Sequence, residues 1–271
     1  YLLKDFYIKE QSIMRLSLFL SGLLGAFIVS MRGLDIIWLF AGISYLATGI
    51  ILTFIKEFKV NRRKSNNFSS IFRQAKRSMR YSWKHYVLFF LLVSSFFILF
   101  RDNFGGDLVW HPFLKSLGFP IFAFGILFSV LTLIGTFTSF LTKPLLKKFK
   151  SERNYLIFLI YCWIILDVLV LTVGNYIYGL ILLLLMITTA DLFMPISSAY
   201  FQKHTPSKMR ATITSFQGMI MSLAVVISMP LSGFVAEHIG PQYTIVLGSL
   251  FLIPALILYL KIKDKKNKIQ K

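Results

Sequence analysis

Five ionisable residues stand in or beside long apolar runs, where a charge is costly and therefore marks a functional candidate. Asp191 lies midway along the run 177–199, in Ile187-Thr-Thr-Ala-Asp191-Leu-Phe-Met-Pro195. A carboxylate at that depth needs a partner or a proton, which suits reversible protonation. Pro195, four residues on, removes a helical hydrogen bond and favours a kink beside it. Asp167 interrupts Ile164-Ile-Leu-Asp167-Val-Leu-Val, where pairing with a neighbouring helix competes with a direct role. Arg101 and Asp102 end the apolar run 85–100, with Gly105, Gly106 and Asp107 directly after. Two readings stay open for these three charges. They sit in the outer half of a broken helix that continues to Trp110, or they are loop charges after a helix that stops at Phe100.

Other chemistries lack their residues. His85, His111, His204 and His238 are scattered near the ends of apolar runs and form no His-x-x-x-His ligand spacing. A single cysteine, Cys162, excludes an internal disulfide framework and a cysteine-based metal centre. No Gly-rich phosphate loop and no Gly-x-Ser-x-Gly turn occurs, so the reading includes no cofactor, no metal and no ATP hydrolysis within the chain.

The elements that must hold these residues are membrane helices. Of the 271 residues 56% are hydrophobic and only 15% are charged, against about 45–50% and about 25% in soluble domains. Eight segments have the roughly 20 apolar residues a spanning helix needs: 12–31, 36–55, 85–104, 119–142, 155–174, 177–199, 213–236 and 242–260. The net charge of +19 has its cause in their loops. Lys4, Lys9, Arg15 and the basic residues of 56–84, 143–154, 200–212 and 261–271 fall on one side, leaving only Arg32, Arg101 and Lys115 for the other. By the positive-inside rule both ends are cytoplasmic, and nucleic acid is not the partner.

The 56–84 loop places Phe68, Ile71, Phe72, Ala75, Met79 and Trp83 at helical spacing among basic residues. That pattern suits an amphipathic helix on anionic lipid, with a solvated linker as the plainer reading. Small residues form two stripes, Gly22, Ala26, Ser30 and Gly33 on the first span and Gly125, Ser129, Thr132, Thr136 and Ser139 on the fourth. Such faces allow close helix approach within a bilayer.

The stretch from Tyr200 to Ser215, with Pro206 ahead of Arg210-Ala-Thr212-Ile-Thr-Ser215, resembles the cytoplasmic loop between the tenth and eleventh helices of the major facilitator superfamily. Gly233-Phe-Val-Ala-Glu237-His-Ile-Gly240 is similar to the turn that closes that family's eleventh helix. Trp110 to Gly118 resembles the outer end of its seventh, and Leu3-Lys-Asp5 with Gly22 and Gly25 the entry to its fifth. The loop 142–150 departs from the family by lacking the Gly and Asp of its signature gating loop.

On this resemblance the chain corresponds to helices five to twelve, Tyr1 is not a start residue, and the first four helices are missing. The implied fold is an all-α integral membrane bundle. Residues 1–57 hold the last two helices of an N-terminal half, 58–84 the basic inter-half loop, 85–260 a six-helix C-terminal half and 261–271 a basic tail. The implied activity is secondary active transport of a small solute by alternating access, as symporter or antiporter, in the cell membrane and as a monomer when complete. Asp191 is then the proton- or cation-handling group, with Arg101 and Asp102 across a central cavity, and Arg210 is structural. The resemblance places Asp167 at the bundle periphery. Two other classes stay in view. A lipid-modifying membrane enzyme would draw on Asp102, Asp107 and His111 near the bilayer surface, and a non-transporting receptor would share the fold.

Overall fold

The structure, a computed structural model, describes residues 2–32, 35–54, 79–120 and 123–262, together with Arg73 and Lys76. All regular structure in the described residues is helical, in an order that follows the hydropathy of the chain. Helix α1 is Leu2–Arg32, α2 Asp35–Thr53, α3 Tyr86–Phe104, α4 Asp107–Ser116 and α5 Ala123–Lys147. Helix α6 is Glu152–Leu169, extended by a 3-10 turn Val170–Thr172. Helix α7 is Tyr176–His204; a second 3-10 turn, Ser207–Met209, leads into α8, Arg210–Ile239, and α9 is Pro241–Lys261. With α3 and α4 taken as one broken span, five helices among the described residues are long and apolar enough to cross a membrane, and bent α5 makes a sixth. The shorter apolar piece Trp38–Thr53 lies in α2.

Two differences from the sequence expectation have physical causes. Helix α1 starts at Leu2 rather than near residue 12, so Lys4, Lys9 and Arg15, taken above as loop charges, are helical. The long stems of Lys4 and Lys9 let their charged ends reach polar surroundings while the backbone stays helical, whereas Arg15 is held inside the bundle by Asp191. Helix α5 likewise runs to Lys147, past Lys143 and through Pro144. That proline removes the hydrogen bond to the Phe140 carbonyl and crowds the preceding turn, and the helix bends by 44° between Ile126–Thr138 and Phe140–Lys147. Of the two readings left open for the charges after Phe100, the structure has the broken helix: α3 ends at Phe104 and the span resumes as α4 after the Gly105–Gly106 break. Helix α7 is continuous through Pro195. Phe68, Ile71, Phe72 and Ala75 of the amphipathic pattern, and residues 263–271 of the tail, lie outside the described residues.

Helix ends are closed by specific groups. The Ser151 hydroxyl accepts from the Asn154 backbone N–H at the start of α6, and the Asn175 side chain accepts from Tyr178 N–H at the start of α7, satisfying donors that a helix start leaves over. Gln242 of α9 donates to the carbonyls of Val170 and Leu171 at the end of α6. A single residue, Gly240, joins α8 to α9 at φ +92° and ψ 155°, a conformation available in practice to glycine, and Pro241 follows at the first helical position.

The packing is one continuous sequence of helix contacts. Helix α1 packs on α5 and α7, α7 on α5 and α6, α6 on α9, α9 on α3, and α3 on α8. Helix α2 touches α1. Leu88, Leu92, Leu156, Ile160, Ile196, Trp163 and Tyr259 are fully buried at the centre. Outward faces remain apolar, with Trp38 82% and Phe54 80% exposed, as expected where lipid or another helix replaces water. The two small-residue stripes meet: a Cβ added to Gly22 of α1 would lie 3.8 Å from the Ser129 hydroxyl of α5, and Thr132 and Thr136 are buried. The side chains of Ala26, Ser30, Gly33, Gly125 and Ser139 lie outside the described residues.

Candidate functional site

Two arginine–carboxylate pairs lie within the bundle, the first with its arginine partly exposed and the second fully buried. The first joins α1 to α7. Asp191 is 1% exposed, and its Oδ1 accepts from both Arg15 Nε, at 2.9 Å, and Arg15 Nη2. Gln11, one turn before Arg15 on the same face, donates to the same oxygen at 3.4 Å. The other carboxylate oxygen, Oδ2, is buried and accepts no hydrogen bond from any described residue. It faces α5, where Gly135 makes the approach possible. A Cβ there would come within 2.5 Å of Asp191 Oδ2 and 3.1 Å of Arg15 Nε. Pro195 also takes the usual intrahelical donor away from the Asp191 backbone carbonyl.

The second pair joins α3 to α6. Arg101, 3% exposed, donates through Nε to Asp167 Oδ2 at 2.9 Å and through Nη2 to Asp167 Oδ1, and Asp167 is fully buried. This two-pronged geometry is the strongest form of the pairing and removes most of the cost of burying either charge. The guanidinium lies 4.5 Å from the ring centre of Trp163, a turn before Asp167. On its other side Arg101 Nη1 is 3.9 Å from Oδ1 of Asp102, which is 41% exposed.

The backbone break supports this second cluster. Ser232 of α8 donates its hydroxyl to the Phe104 carbonyl, which the break would otherwise leave without a partner. A Cβ on Gly105 would sit 3.4 Å from the Ile245 backbone, so the break rests directly on α9. A cavity of about 200 Å³ opens here, lined by Arg101, Asp102, Trp110, Trp163, Met186 and Met229 among others, with Ala190 bringing α7 to its edge.

The sequence-predicted residues are thus divided differently from the expectation. Arg101 is not the counterpart of Asp191. It is held by Asp167, because α3 packs on α9 and α9 on α6, while α7 turns Asp191 toward α1. The Asp107 side chain lies outside the described residues. Pro206 precedes the 3-10 turn that starts α8, Arg210 is the first residue of that helix, and Gln202 donates to Thr214 in its first turn. Thr212 and Ser215 belong to the same helix start, Gly233 and Glu237 to its last turns. Arg15, Gln11 and Gly135 were missed. Their signal was present, since Arg15 falls inside the 12–31 apolar segment, four residues after Gln11. Among the described residues no group of three His, Cys, Asp or Glu side chains is placed to hold a metal ion.

A third set of charges ties the other end of α1 to the bundle. Lys4 and Lys203 both pair with Glu152 at the start of α6, and Lys143 of α5 pairs with Asp5 at 2.9 Å. The Lys143 side chain holds the Asp5 carboxyl below its usual range, chiefly through that hydrogen bond.

Comparison with known proteins agrees with this architecture. Residues 153–271 match the family described as Major Facilitator Superfamily. A curated relative, the uncharacterized MFS-type transporter YxaM of Bacillus subtilis (strain 168), is 26% identical over 168 residues, covering 59% of this chain and 41% of the relative. The match therefore spans less than half of that relative's length. The matched segment holds nearly all of α6 to α9, the helices that carry Asp167, Asp191 and the 206–215 motif, so this part of the chain is similar to that family, and the apolar helices around it are those of an all-α integral membrane protein.

Proposed function

We propose that the chain forms part of a secondary active transporter that moves a small solute by alternating access, coupled to protons or another ion. The observation that carries the reading is the Arg15–Asp191 pair. It is a buried ion pair between α1 and α7, helices on opposite sides of the 58–84 loop, and one carboxylate oxygen has no described partner. Such a pair has two states of use. Ionised, Asp191 holds α1 against α7 and α5; protonated, it loses most of its attraction for Arg15 and the contact is free to open. The MFS-type name of the relative and the family match support the same class of activity.

In this reading residues 1–57 and 85–260 belong to two helical halves joined by 58–84, both ends of the chain face the cytoplasm, and the basic residues of the loops meet anionic lipid. The membrane is the cell membrane, and the working unit is a monomer. Solute binding and ion coupling need no catalytic residue, so the reading is not an enzyme.

The test is uptake by the intact protein in proteoliposomes under an imposed proton gradient, with a panel of sugars, amino acids, organic anions and organic cations. Accumulation that follows the gradient and is lost in Asp191→Asn is the expected result. Gradient-driven uptake that Asp191→Asn leaves unchanged would remove Asp191 from the coupling step.

A further inference from the structure

We infer that the coupling proton settles on Oδ2 of Asp191, on the α5 side of the carboxyl group, and that Gln11 is the positioning residue that reserves Oδ1 for α1. The inference rests on the coupling reading above and names the atom and the partner through which it works. The two arginine–carboxylate pairs use the same groups but are bonded differently. Arg101 gives Nε to one oxygen of Asp167 and Nη2 to the other, so both oxygens are filled. Arg15 gives both Nε and Nη2 to Oδ1 of Asp191, and Gln11 Nε2 adds a third donor to that oxygen at 3.4 Å. Oδ2 accepts no hydrogen bond from any described residue. A proton arriving at Asp167 has to displace an arginine bond, whereas one arriving at Asp191 meets an open oxygen.

The spacing along α1 explains the crowding. Gln11 and Arg15 are four residues apart and so share one face of the helix. Gln11 is uncharged and cannot neutralise the carboxylate, so its contribution is directional. With Arg15 it takes up the lone pairs of Oδ1 and leaves Oδ2 turned to α5, where a Cβ on Gly135 would come within 2.5 Å of it. Among the described residues Arg15 is the charged group bonded to Asp191, and α5 presents Gly135. The charges of α3 and α6, Arg101 and Asp167, are bonded to each other, and His111 and Lys115 of α4 are exposed. Protonation then forms one O–H bond, at Oδ2, and breaks none. Oδ1 becomes the carbonyl oxygen, Arg15 keeps its proton, and both α1 donors stay on a neutral acceptor, a weaker hold than on a carboxylate. Proton uptake therefore precedes the parting of α1 from α7 and makes that step easier.

Infrared difference spectra of the intact protein between acidic and alkaline pH read the protonated carboxyl directly. The measurement is made with α1 held in place by oxidised Gly22→Cys/Ser129→Cys, where the Cβ position at Gly22 lies 3.8 Å from the Ser129 hydroxyl. A carboxylic-acid C=O band that vanishes in Asp191→Asn and persists in Asp167→Asn is expected, at the position of a carbonyl that accepts hydrogen bonds. Gln11→Met keeps the side-chain length and removes the donor, and should move the band to higher wavenumber. Lys4→Met, which loosens α1 at its other end, should leave the band where it is, so a general loss of packing is separated from the loss of one bond. Gln11 is partly exposed, so Gln11→Met keeps the test open even where Asp167→Asn fails to fold. A native band already at the position of a free carbonyl, or a band indifferent to Gln11→Met, would overturn the inference and leave the coupling role of Asp191 intact. Absence of any Asp191-dependent band would remove both. Solute uptake that ignores an imposed proton gradient, with the band behaving as expected, would remove the coupling reading and leave the protonation site standing.

Discussion

Gly135 decides whether α5 can lie against the Arg15–Asp191 pair, and a single methyl group is enough to test that. The added Cβ of Gly135→Ala would fall 2.5 Å from Asp191 Oδ2 and 3.1 Å from Arg15 Nε, both on side chains held by their mutual bonds. Either α5 moves away or the pair opens. Loosening the contacts of a carboxylate that is 1% exposed destabilises the fold, so a fall in melting temperature is expected, whereas Gly218→Ala, with nothing within 4 Å of its added Cβ, should change it little. Equal melting of the two variants would show that the glycine is not required for the approach. The Arg101–Asp167 pair allows a stricter comparison. Arg101→Leu strands a carboxylate that is fully buried and should cost about 3–5 kcal/mol, while Arg101→Leu with Asp167→Leu removes both charges and should recover most of that loss. A double variant no more stable than the single one would mean that the two charges are not each other's main partners. At this scale the sequence located the acids but not their partners. Asp191 and Asp167 stood out because charge inside an apolar run is costly. Which arginine answers which acid depends on helix rotation and packing order, and those are set by contacts between residues far apart in sequence.

At the scale of elements, hydropathy marked eight helical segments because the bilayer demands length and apolarity in a continuous run. What it could not mark is where a helix stops when its end carries charge. Helix α1 extends through Lys4 and Lys9, and α5 through Lys143 to Lys147, because long basic side chains reach out while the backbone stays helical. Those extensions bring Asp5 of α1 beside Lys143 of α5, a contact with a definite pH dependence. The folded-state pKa of Asp5 is depressed by Lys143, so the pair contributes stability above the ordinary value near 3.8 and loses it as pH falls through the lowered value. Wild type and Lys143→Met should therefore differ in melting temperature at neutral pH, and the difference should shrink as pH falls below about 4. A difference that does not shrink on acidification would assign the effect of Lys143 to something other than Asp5. The break between α3 and α4 was legible only as two alternatives. Gly105 and Gly106 permit either a helix end or a broken helix, and the choice is made by α8 and α9: Ser232 bonds the Phe104 carbonyl and the Ile245 backbone closes against Gly105.

At the scale of the molecule, α1 is the element on which the proposed alternating access would turn. It reaches the six-helix part through three kinds of contact: the buried Arg15–Asp191 pair, the outer pairs of Lys4 and Asp5, and the close seam of Gly22 on Ser129. If α1 belongs to a half that rocks against residues 85–260, those contacts must break in each cycle, and a covalent bond across the seam must stop it. The geometry permits such a bond. The Cβ position at Gly22 is 3.8 Å from the Ser129 hydroxyl, within reach of a disulfide when both residues are cysteine. The one cysteine of these 271 residues, Cys162, is half-buried on α6 and is replaced by serine in this test. Oxidised Gly22→Cys/Ser129→Cys protein should lose solute uptake and regain it on reduction, while each single cysteine variant stays active under the same oxidation. Uptake that continues at full rate with the bond formed would mean that α1 travels with the six-helix part, and the moving boundary would then have to lie on the N-terminal side of α1.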